Sequence, residues 1–310
     1  MSASKSTKNR NSSDPLETAT ATDVQIRDLQ IYFGHDEFRK DILKGIDLDI
    51  PAGKITGLAG ESGSGKTMTG LAMCGLLPHG AHVSGSIKFG ETEIIGAKEK
   101  ELNRLRGNRI AMVFQDPTAS LHPMLSIERQ LTDHYRVHTN ASQKQAHEKA
   151  REMLELVAVP NPEGALKKYP HQFSGGQLQR IAIALALMCS PSILVADEPT
   201  TALDVTVQAG ILRLMRRLCD ELNLGILLIT HDLGVMSSLA NHIAVMRLGE
   251  IVEFGDTYQI INAPRHEYTQ NLIDSLPEAA PLDSELHEAE MAGKNLLDQA
   301  EGESDDAAES

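Results

Sequence analysis

The chain contains no apolar run long enough to cross a bilayer. A spanning helix needs roughly 18 consecutive apolar residues. The nearest approach, Ile181 to Cys189, reaches half that length and reads as a buried helix. The start, "MSASKSTKNRNSSDPLETATATD", lacks any hydrophobic stretch, so no secretory signal is expected there and residues 1–23 read as a disordered polar arm. Cysteine is scarce. Cys74, Cys189 and Cys219 are odd in number and far apart, which gives neither a metal-ligand spacing nor a disulfide framework. Their apolar surroundings suit buried packing thiols in a reducing compartment. A basic surplus is missing too. The net charge is −14, and Glu278 to Ser310 carries −10 of it, with 11 acids against one lysine. Nothing is basic enough to engage nucleic acid, so no nucleic-acid partner is expected. The composition of residues 278–310 resists packing and reads as an acidic disordered tail.

Against these absences stands a chain of 310 residues that is 41% hydrophobic, enough to bury a sizeable core. Its densest glycine cluster is "LAGESGSGKTMTG", Leu58 to Gly70. The spacing Gly60-x-x-x-x-Gly65-Lys66-Thr67 suits a polyphosphate. Glycines let backbone N–H groups turn onto phosphate oxygens, and the helix that follows adds its positive dipole end. Lys66 would reach the β- and γ-phosphates, and the Thr67 hydroxyl would sit on Mg²⁺. The bland alternative is a flexible loop, so the rest of the chain has to decide.

Four short apolar runs read as buried parallel strands. "KITGLAG" leads into the glycine loop, and "NRIAMVFQD" into Gln115 and Asp116. "SILVADE" leads into Asp197 and Glu198, and "GILLITHD" into His231 and Asp232. Between the last two, Ile211, Leu214, Met215, Leu218 and Leu222 recur at helical spacing within 205–222, which predicts a strand–helix–strand unit. Ligands of parallel sheets bind beyond the carboxyl ends of the strands, so these groups should gather along one edge. Phosphoryl chemistry then assigns roles. Asp197 supports the Mg²⁺ shell, Glu198 polarises the attacking water, His231 donates to the γ-phosphate, and Gln115 touches Mg²⁺ or water. Each of these residues alone would be a surface charge or a structural polar group; the convergence is what argues for a site.

"HQFSGGQLQRIAIALAL" adds a second helix start suited to an anion, with Ser174 as N-cap and two glycines behind it. Either both helix starts meet one nucleotide within the chain, or each serves a site shared with another chain.

Together these stretches resemble the ATPase subunit of ATP-binding cassette (ABC) transporters, over about Val24 to Pro277. "GESGSGKT" (Gly60, Glu61, Ser62, Gly63, Ser64, Gly65, Lys66, Thr67) resembles the Walker A loop, and "ILVADE" resembles Walker B with its catalytic glutamate. "FSGGQ" resembles the signature "LSGGQ", with Phe173 in place of leucine, and "TALD" resembles the D-loop ending at Asp204. Asp204 could equally be only the N-cap of the helix over 205–222. Gln115 matches the Q-loop glutamine and His231 the switch histidine. Phe33 matches the aromatic residue that stacks on adenine; Tyr32 competes, because an alternating strand turns only one of the two toward the nucleotide.

The resemblance implies an α/β fold: a P-loop NTPase core with a parallel-rich sheet, an antiparallel β portion near the N-terminus and a helical insert over about 116–180. The ATPase domain would span 24–277. Within the insert, Ala146, Ala150, Met153, Leu154 and Val157 mark one helix face. The resemblance further implies ATP and Mg²⁺ at the site, and head-to-tail pairing in which Ser174, Gly175, Gly176 and Gln177 serve the partner's ATP. The second ATPase subunit would be a related chain, with a homodimer as the alternative.

"QDPTASLHPMLSI" and "NAPRHEYTQNLIDSLP" resemble stretches of peptide and nickel importers, the second falling in a C-terminal extension over about 256–277. His122 stands where those proteins carry asparagine, and Glu267 where they carry proline. No cysteine follows Cys219, so the iron–sulfur centre of some relatives is not expected. The implied assembly holds two multi-span permease subunits, an extracytoplasmic solute-binding protein and two ATPases at the cytoplasmic face. Peptide is the favoured cargo, with nickel or another small solute as the alternative. A non-transport ABC ATPase would carry a long coiled coil or a second cassette, and a small-molecule kinase would need no "FSGGQ". A purely regulatory subunit would not need Glu198 and His231.

Overall fold

The computed structural model describes residues 23–201 and 203–275; the polar arm, the acidic tail, Ala202 and the end of the C-terminal extension lie outside them. Ten strands occur among the described residues: β1 (Val24–Phe33), β2 (Lys40–Ile50), β3 (Ile55–Ala59), β4 (Ala81–Phe89), β5 (Thr92–Glu93), β6 (Ile110–Val113), β7 (Ile193–Asp197), β8 (Gly225–Ile229), β9 (His242–Arg247) and β10 (Glu250–Asp256). They form two sheets. One is antiparallel in the order β2-β1-β4-β5, and the other runs β10-β9-β3-β8-β7-β6. β6, β7, β8, β3 and β9 are parallel neighbours, and β10 turns back antiparallel on β9. This is an α/β architecture with a parallel-rich sheet and an N-terminal antiparallel sheet.

The four strands expected from sequence lie side by side as β3, β8, β7 and β6. Their residues are apolar without a break because both faces of this sheet are covered. Successive side chains go to opposite sides. Val195, Leu227 and Ile229 pack with the antiparallel sheet and helix Lys66–Met73, whereas Leu194, Ala196, Ile226 and Leu228 pack with helices on the other face.

β1 shows how a strand keeps its apolar face through an irregularity. Val24, Ile26, Leu29 and Ile31 are all buried, although the step from Ile26 to Leu29 breaks the two-residue period. A register shift between those two residues restores the facing, and Asp28 sits at φ 45° within it. The opposing Gly85 has φ +96°, and a Cβ there would lie 2.2 Å from the Asp28 carbonyl oxygen.

Between Gln115 and Ser174 come four α-helices, Pro117–Ser120, Ile127–His138, Gln143–Leu156 and Pro162–Leu166. Ser142 and Gln145 form a capping box at the start of the third. Ala146, Ala150, Met153, Leu154 and Val157 are buried there, as their spacing suggested. Helix Val205–Leu222 buries Ile211, Leu214, Met215 and Leu218 and links the parallel neighbours β7 and β8. The cysteines form no disulfide. Cys74 and Cys219 are buried, but Cys189 is only half-buried, a departure from the expected burial of all three. Its thiol lies near Lys149, and burial still pushes it up to about 11. No described helix is long and apolar enough to cross a membrane.

Candidate functional site

The carboxyl ends of β3, β6, β7 and β8 open onto one cavity of about 1050 Å³. Its walls include Gly60, Glu61, Ser62, Gly63, Gly65, Lys66, Thr67, Gln115, Glu198 and His231, which the sequence spreads over some 170 positions. Of the eight residues in the glycine loop, only Ser64 is off the wall. It is buried beneath the loop, where its N–H closes a turn on the Glu61 carbonyl (3.2 Å) and its hydroxyl has no hydrogen-bond partner.

Gly60, Gly63 and Gly65 have φ of +149°, +80° and +110°, the region where a side chain is strained. At Gly60 the requirement is also steric, since a Cβ would lie 2.1 Å from the Met246 carbonyl oxygen. The loop runs into helix Lys66–Met73, whose first residue is 6% exposed. The Lys66 ammonium donates to the Gly60 and Glu61 carbonyls at 2.7 and 2.8 Å. Burial pushes its pKa below the ordinary lysine value, against the attraction of Glu198, Asp197 and Glu61.

Asp197 is buried behind Thr67, whose hydroxyl donates to its Oδ1 at 3.2 Å. Burial pushes the Asp197 carboxyl up; the Thr67 hydrogen bond opposes the shift and the Glu198 charge reinforces it. The pair offers hard oxygen donors beside the lysine. No group of three or more His, Cys, Asp or Glu residues suited to a metal occurs among the described residues. That donor set fits Mg²⁺, which keeps waters and substrate phosphates as most of its ligands and takes few from protein.

Glu198 is the hub of the polar wall. His231 Nδ1 lies 3.1 Å from its Oε1, while Gln115 Nε2 and Thr201 Oγ1 donate to its Oε2 at 3.0 and 2.9 Å. Its own N–H donates to the Ile229 carbonyl of β8 at 2.8 Å, and its φ is 45°, an uncommon backbone state for a side chain of this size. Burial alone would raise its pKa. The hydrogen bonds from His231 and Thr201, with the charges of His231 and Lys66, outweigh burial and hold the carboxyl below its ordinary value.

Other expected site residues lie elsewhere. Ser174, Gly175, Gly176 and Gln177 do not line the cavity. They begin helix Gly175–Leu187, where the Ser174 hydroxyl and the Gln177 side chain cap each other's backbone N–H. Gly176 is pressed against helix Val205–Leu222, and a Cβ there would lie 2.4 Å from Val207 Cγ1. Asp204 caps that helix, its Oδ1 accepting the Val207 N–H at 3.0 Å. Phe33 is not on the cavity wall either. It packs at the edge of the antiparallel core and pairs with Lys40, which is on the wall. Tyr32 is engaged away from it, stacked on His82 at 4.7 Å with the Arg39 guanidinium 4.0 Å above its ring.

Thr201, Tyr268 and Leu272 are among the contributors that escaped the sequence reading. Thr201 sits three residues past Glu198 and was legible in principle, as a hydroxyl one short turn from the acid. Tyr268 and Leu272 come from the C-terminal helix Glu267–Asp274. The Tyr268 oxygen accepts the Glu61 N–H at 3.1 Å, and Leu272 lines the cavity. A contact between positions 207 residues apart leaves no local pattern.

Comparison with known proteins agrees with this geometry. Residues 43–201 match the family model described as ABC transporter, and residues 252–302 match that of the oligopeptide/dipeptide transporter C-terminal region. The chain is 42% identical over 259 residues to the oligopeptide transport ATP-binding protein AppD of Bacillus subtilis, covering 83% of this chain and 79% of AppD. It is 40% identical over 262 residues to OppD of Salmonella typhimurium, an oligopeptide transport ATP-binding protein, covering 84% and 77%. Among solved structures, the ATP-binding cassette MJ0796, described as dimeric in a post-hydrolysis state bound to ADP and Pi, superposes with a TM-score of 0.66 at 27% identity. That match covers 76% of this chain and 98% of MJ0796.

Proposed function

This chain belongs to the family of ABC transporter ATP-binding subunits, and from that premise we propose that it drives the uptake of peptides by binding and hydrolysing ATP at the Glu198 cavity. The observation that carries the reading is the convergence of Lys66, Gln115, Glu198 and His231 on one cavity at the carboxyl edge of a parallel sheet. The match of residues 252–302 to an oligopeptide/dipeptide transporter region supports the cargo class.

The loop amides and Lys66 grip the β- and γ-phosphates, and Lys66 trades its loop carbonyls for phosphate oxygens. Thr67 and Asp197 would hold Mg²⁺, and Gln115 would reach the ion or its water. Bound there, the ion would neutralise charge on the phosphates. Glu198, kept ionised by its donors, accepts a hydrogen bond from the attacking water and polarises it. His231 lies against Glu198 through Nδ1, which leaves Nε2 to meet the γ-phosphate. Phe33, paired with the wall residue Lys40, is the residue assigned to stack on adenine. Tyr32 is the weaker candidate because its ring is already covered.

Ser174, Gly175, Gly176, Gln177 and Asp204 act on the nucleotide of a second ATPase subunit. Their place away from their own chain's cavity favours that reading over two helix starts meeting within one chain. The second subunit is a related chain, or another copy of this one. The pair sits at the cytoplasmic face against two permease subunits, with a solute-binding protein outside. Closure on ATP moves the permeases because the closed dimer binds ATP more tightly than the open one. The ATPase domain comprises 24–277, with its helical insert at about 116–180 and its C-terminal extension at about 256–277.

The test is to purify the intact complex and identify what its binding protein carries by mass spectrometry. Peptides are expected. A bound nickel ion or a non-peptide solute overturns the cargo assignment while leaving the ATPase intact.

A further inference from the structure

One peptide group joins the C-terminal helix to the phosphate-gripping lysine. The Glu61 N–H donates to the Tyr268 hydroxyl oxygen at 3.1 Å. The Gly60 carbonyl belongs to the same peptide unit, and it accepts from the Lys66 ammonium at 2.7 Å. In a trans peptide these two groups point in opposite directions, so Tyr268 and Lys66 hold the plane from its two sides. We propose that Tyr268 is a positioning residue for the nucleotide loop, through which the C-terminal extension sets the affinity of the site for ATP. The proposal rests on the ATP-binding reading of the cavity.

Tyr268 is well placed to hold something still. It is 5% exposed, and the Arg247 guanidinium lies 4.8 Å above its ring. Its N–H donates to His266 Nδ1 at 3.1 Å, which caps the helix. The entry to the helix is pinned as well, because the carboxylate of Glu253 in β10 accepts the N–H groups of Arg265 and His266 at 2.8 and 3.1 Å. On the other side of the contact Glu61 is exposed, but the backbone before it is held. Gly60 at φ +149° lies against the Met246 carbonyl of β9, one residue before Arg247. The end of β9 therefore packs against both the loop and the tyrosine.

Leu272 extends the link. It stands four residues after Tyr268, one turn along the same helix face, and forms part of the cavity wall. The extension thus touches the site twice, once through the loop backbone and once through the wall. Phosphate binding by backbone amides depends on their being oriented in advance. A hydrogen bond accepted from the Glu61 N–H also strengthens the Gly60 carbonyl as an acceptor, which tunes how firmly Lys66 is parked before a phosphate draws it away. Removing the phenolic oxygen leaves the Glu61 N–H without its partner and frees the peptide plane to tilt.

The test uses the full-length chain with Tyr268→Phe, which keeps the ring and its packing and removes only the oxygen. Calorimetric titration with ATP should show binding weakened by about tenfold. KM should rise by a similar factor with kcat held, since loop orientation matters for capture and Mg²⁺-ATP at saturation restores it. Hydrogen exchange at the Glu61 amide should accelerate. In the wild-type chain, ATP should slow exchange across Glu267–Asp274, a measurement that needs no variant. Wild-type ATP affinity in Tyr268→Phe, or helix exchange that ignores ATP, overturns the proposal. A wild-type chain that binds no ATP removes the nucleotide reading and this inference with it, so the two failures are told apart by the wild-type titration.

Discussion

Nδ1 of His231 lies 3.1 Å from Oε1 of Glu198, and the two residues follow the ends of adjacent parallel strands. The histidine is 63% exposed at its side chain and the glutamate 19%, so the ring covers the acid from the solvent side. An exposed donor over a half-hidden acceptor is a contact that a bound phosphate can rearrange. The Glu198 carboxyl would be shifted up by burial, yet the surrounding donors win and hold it ionised at neutral pH.

Replacing Glu198 by Gln removes that charge while keeping the shape. ATP turnover should fall by about a hundredfold or more, the usual range for loss of a general base. ATP should still bind, because Lys66 and the loop amides are untouched. The variant should accumulate as an ATP-bound dimer in size-exclusion chromatography. Normal turnover would remove Glu198 from the mechanism.

Lys66→Met tests the other end of the site. The substitution keeps the buried stem and deletes the ammonium that donates to Gly60 and Glu61. A charged hydrogen bond is worth about 1.5–3 kcal/mol, which is about tenfold to a hundredfold in affinity. ATP affinity should drop by that factor while adenosine affinity is unchanged, as equilibrium titration of the two ligands would reveal. An equal loss for both would point to a collapsed loop.

Gly176→Ala separates packing from function at the start of helix Gly175–Leu187. The new methyl would meet Val207 Cγ1 at 2.4 Å, and a β-branched side chain has little freedom to step aside. Overpacking of this kind costs about 1–3 kcal/mol, seen as a melting temperature lower by several degrees. Adding Val207→Ala should restore the melting temperature. If Gly176 serves the partner's nucleotide, the double variant will stay deficient in cooperative ATPase activity despite its recovered stability. Full recovery of both would make the glycine a packing residue only.

The parts of this molecule that were legible in the sequence share one physical trait: a single element carries the signal. β3, β6, β7 and β8 announce themselves because both faces are buried, so the runs are apolar until they reach a polar end. Helix Val205–Leu222 does so because one face alone is buried. The glycine loop is legible because its backbone angles admit little else. What stayed hidden depends on chain segments meeting in space. Tyr268 reaching Glu61 and Ser64 turning under the loop have no counterpart in spacing or composition. Cys189 misled for a related reason. Its sequence neighbours are apolar, but it falls in the turn just past helix Gly175–Leu187 and is only half-buried there. The break in β1 between Ile26 and Leu29 likewise becomes intelligible only once the register shift is seen.

His147 gives the helical insert a pH-dependent stability of predictable sign. Its ring joins three helices, with Nδ1 2.8 Å from Glu128 Oε1 and Nε2 3.3 Å from Glu163 Oε2. The hydrogen bond to Glu128 raises its pKa first and foremost; burial opposes that shift and Glu163 adds to it. A raised pKa in the folded state means that folding takes up protons. The stabilisation is therefore complete below the unfolded imidazole value of about 6.5 and is lost as pH rises through the higher folded value. His134, on the same helix as Glu128, works the other way. Burial first, and the neighbouring His138 second, push it down to about 4, so folding keeps this ring neutral and stability is lost progressively as pH falls from about 6.5 toward that value and the unfolded chain alone takes up the proton. Comparing wild type with His147→Gln isolates the first effect, because His134 is common to both. The melting-temperature gap between them should be at full width below about pH 6.5 and should narrow as pH rises above it. A gap that is constant with pH would mean the ring contributes shape alone, and one that widens with pH would reverse the sign of the linkage.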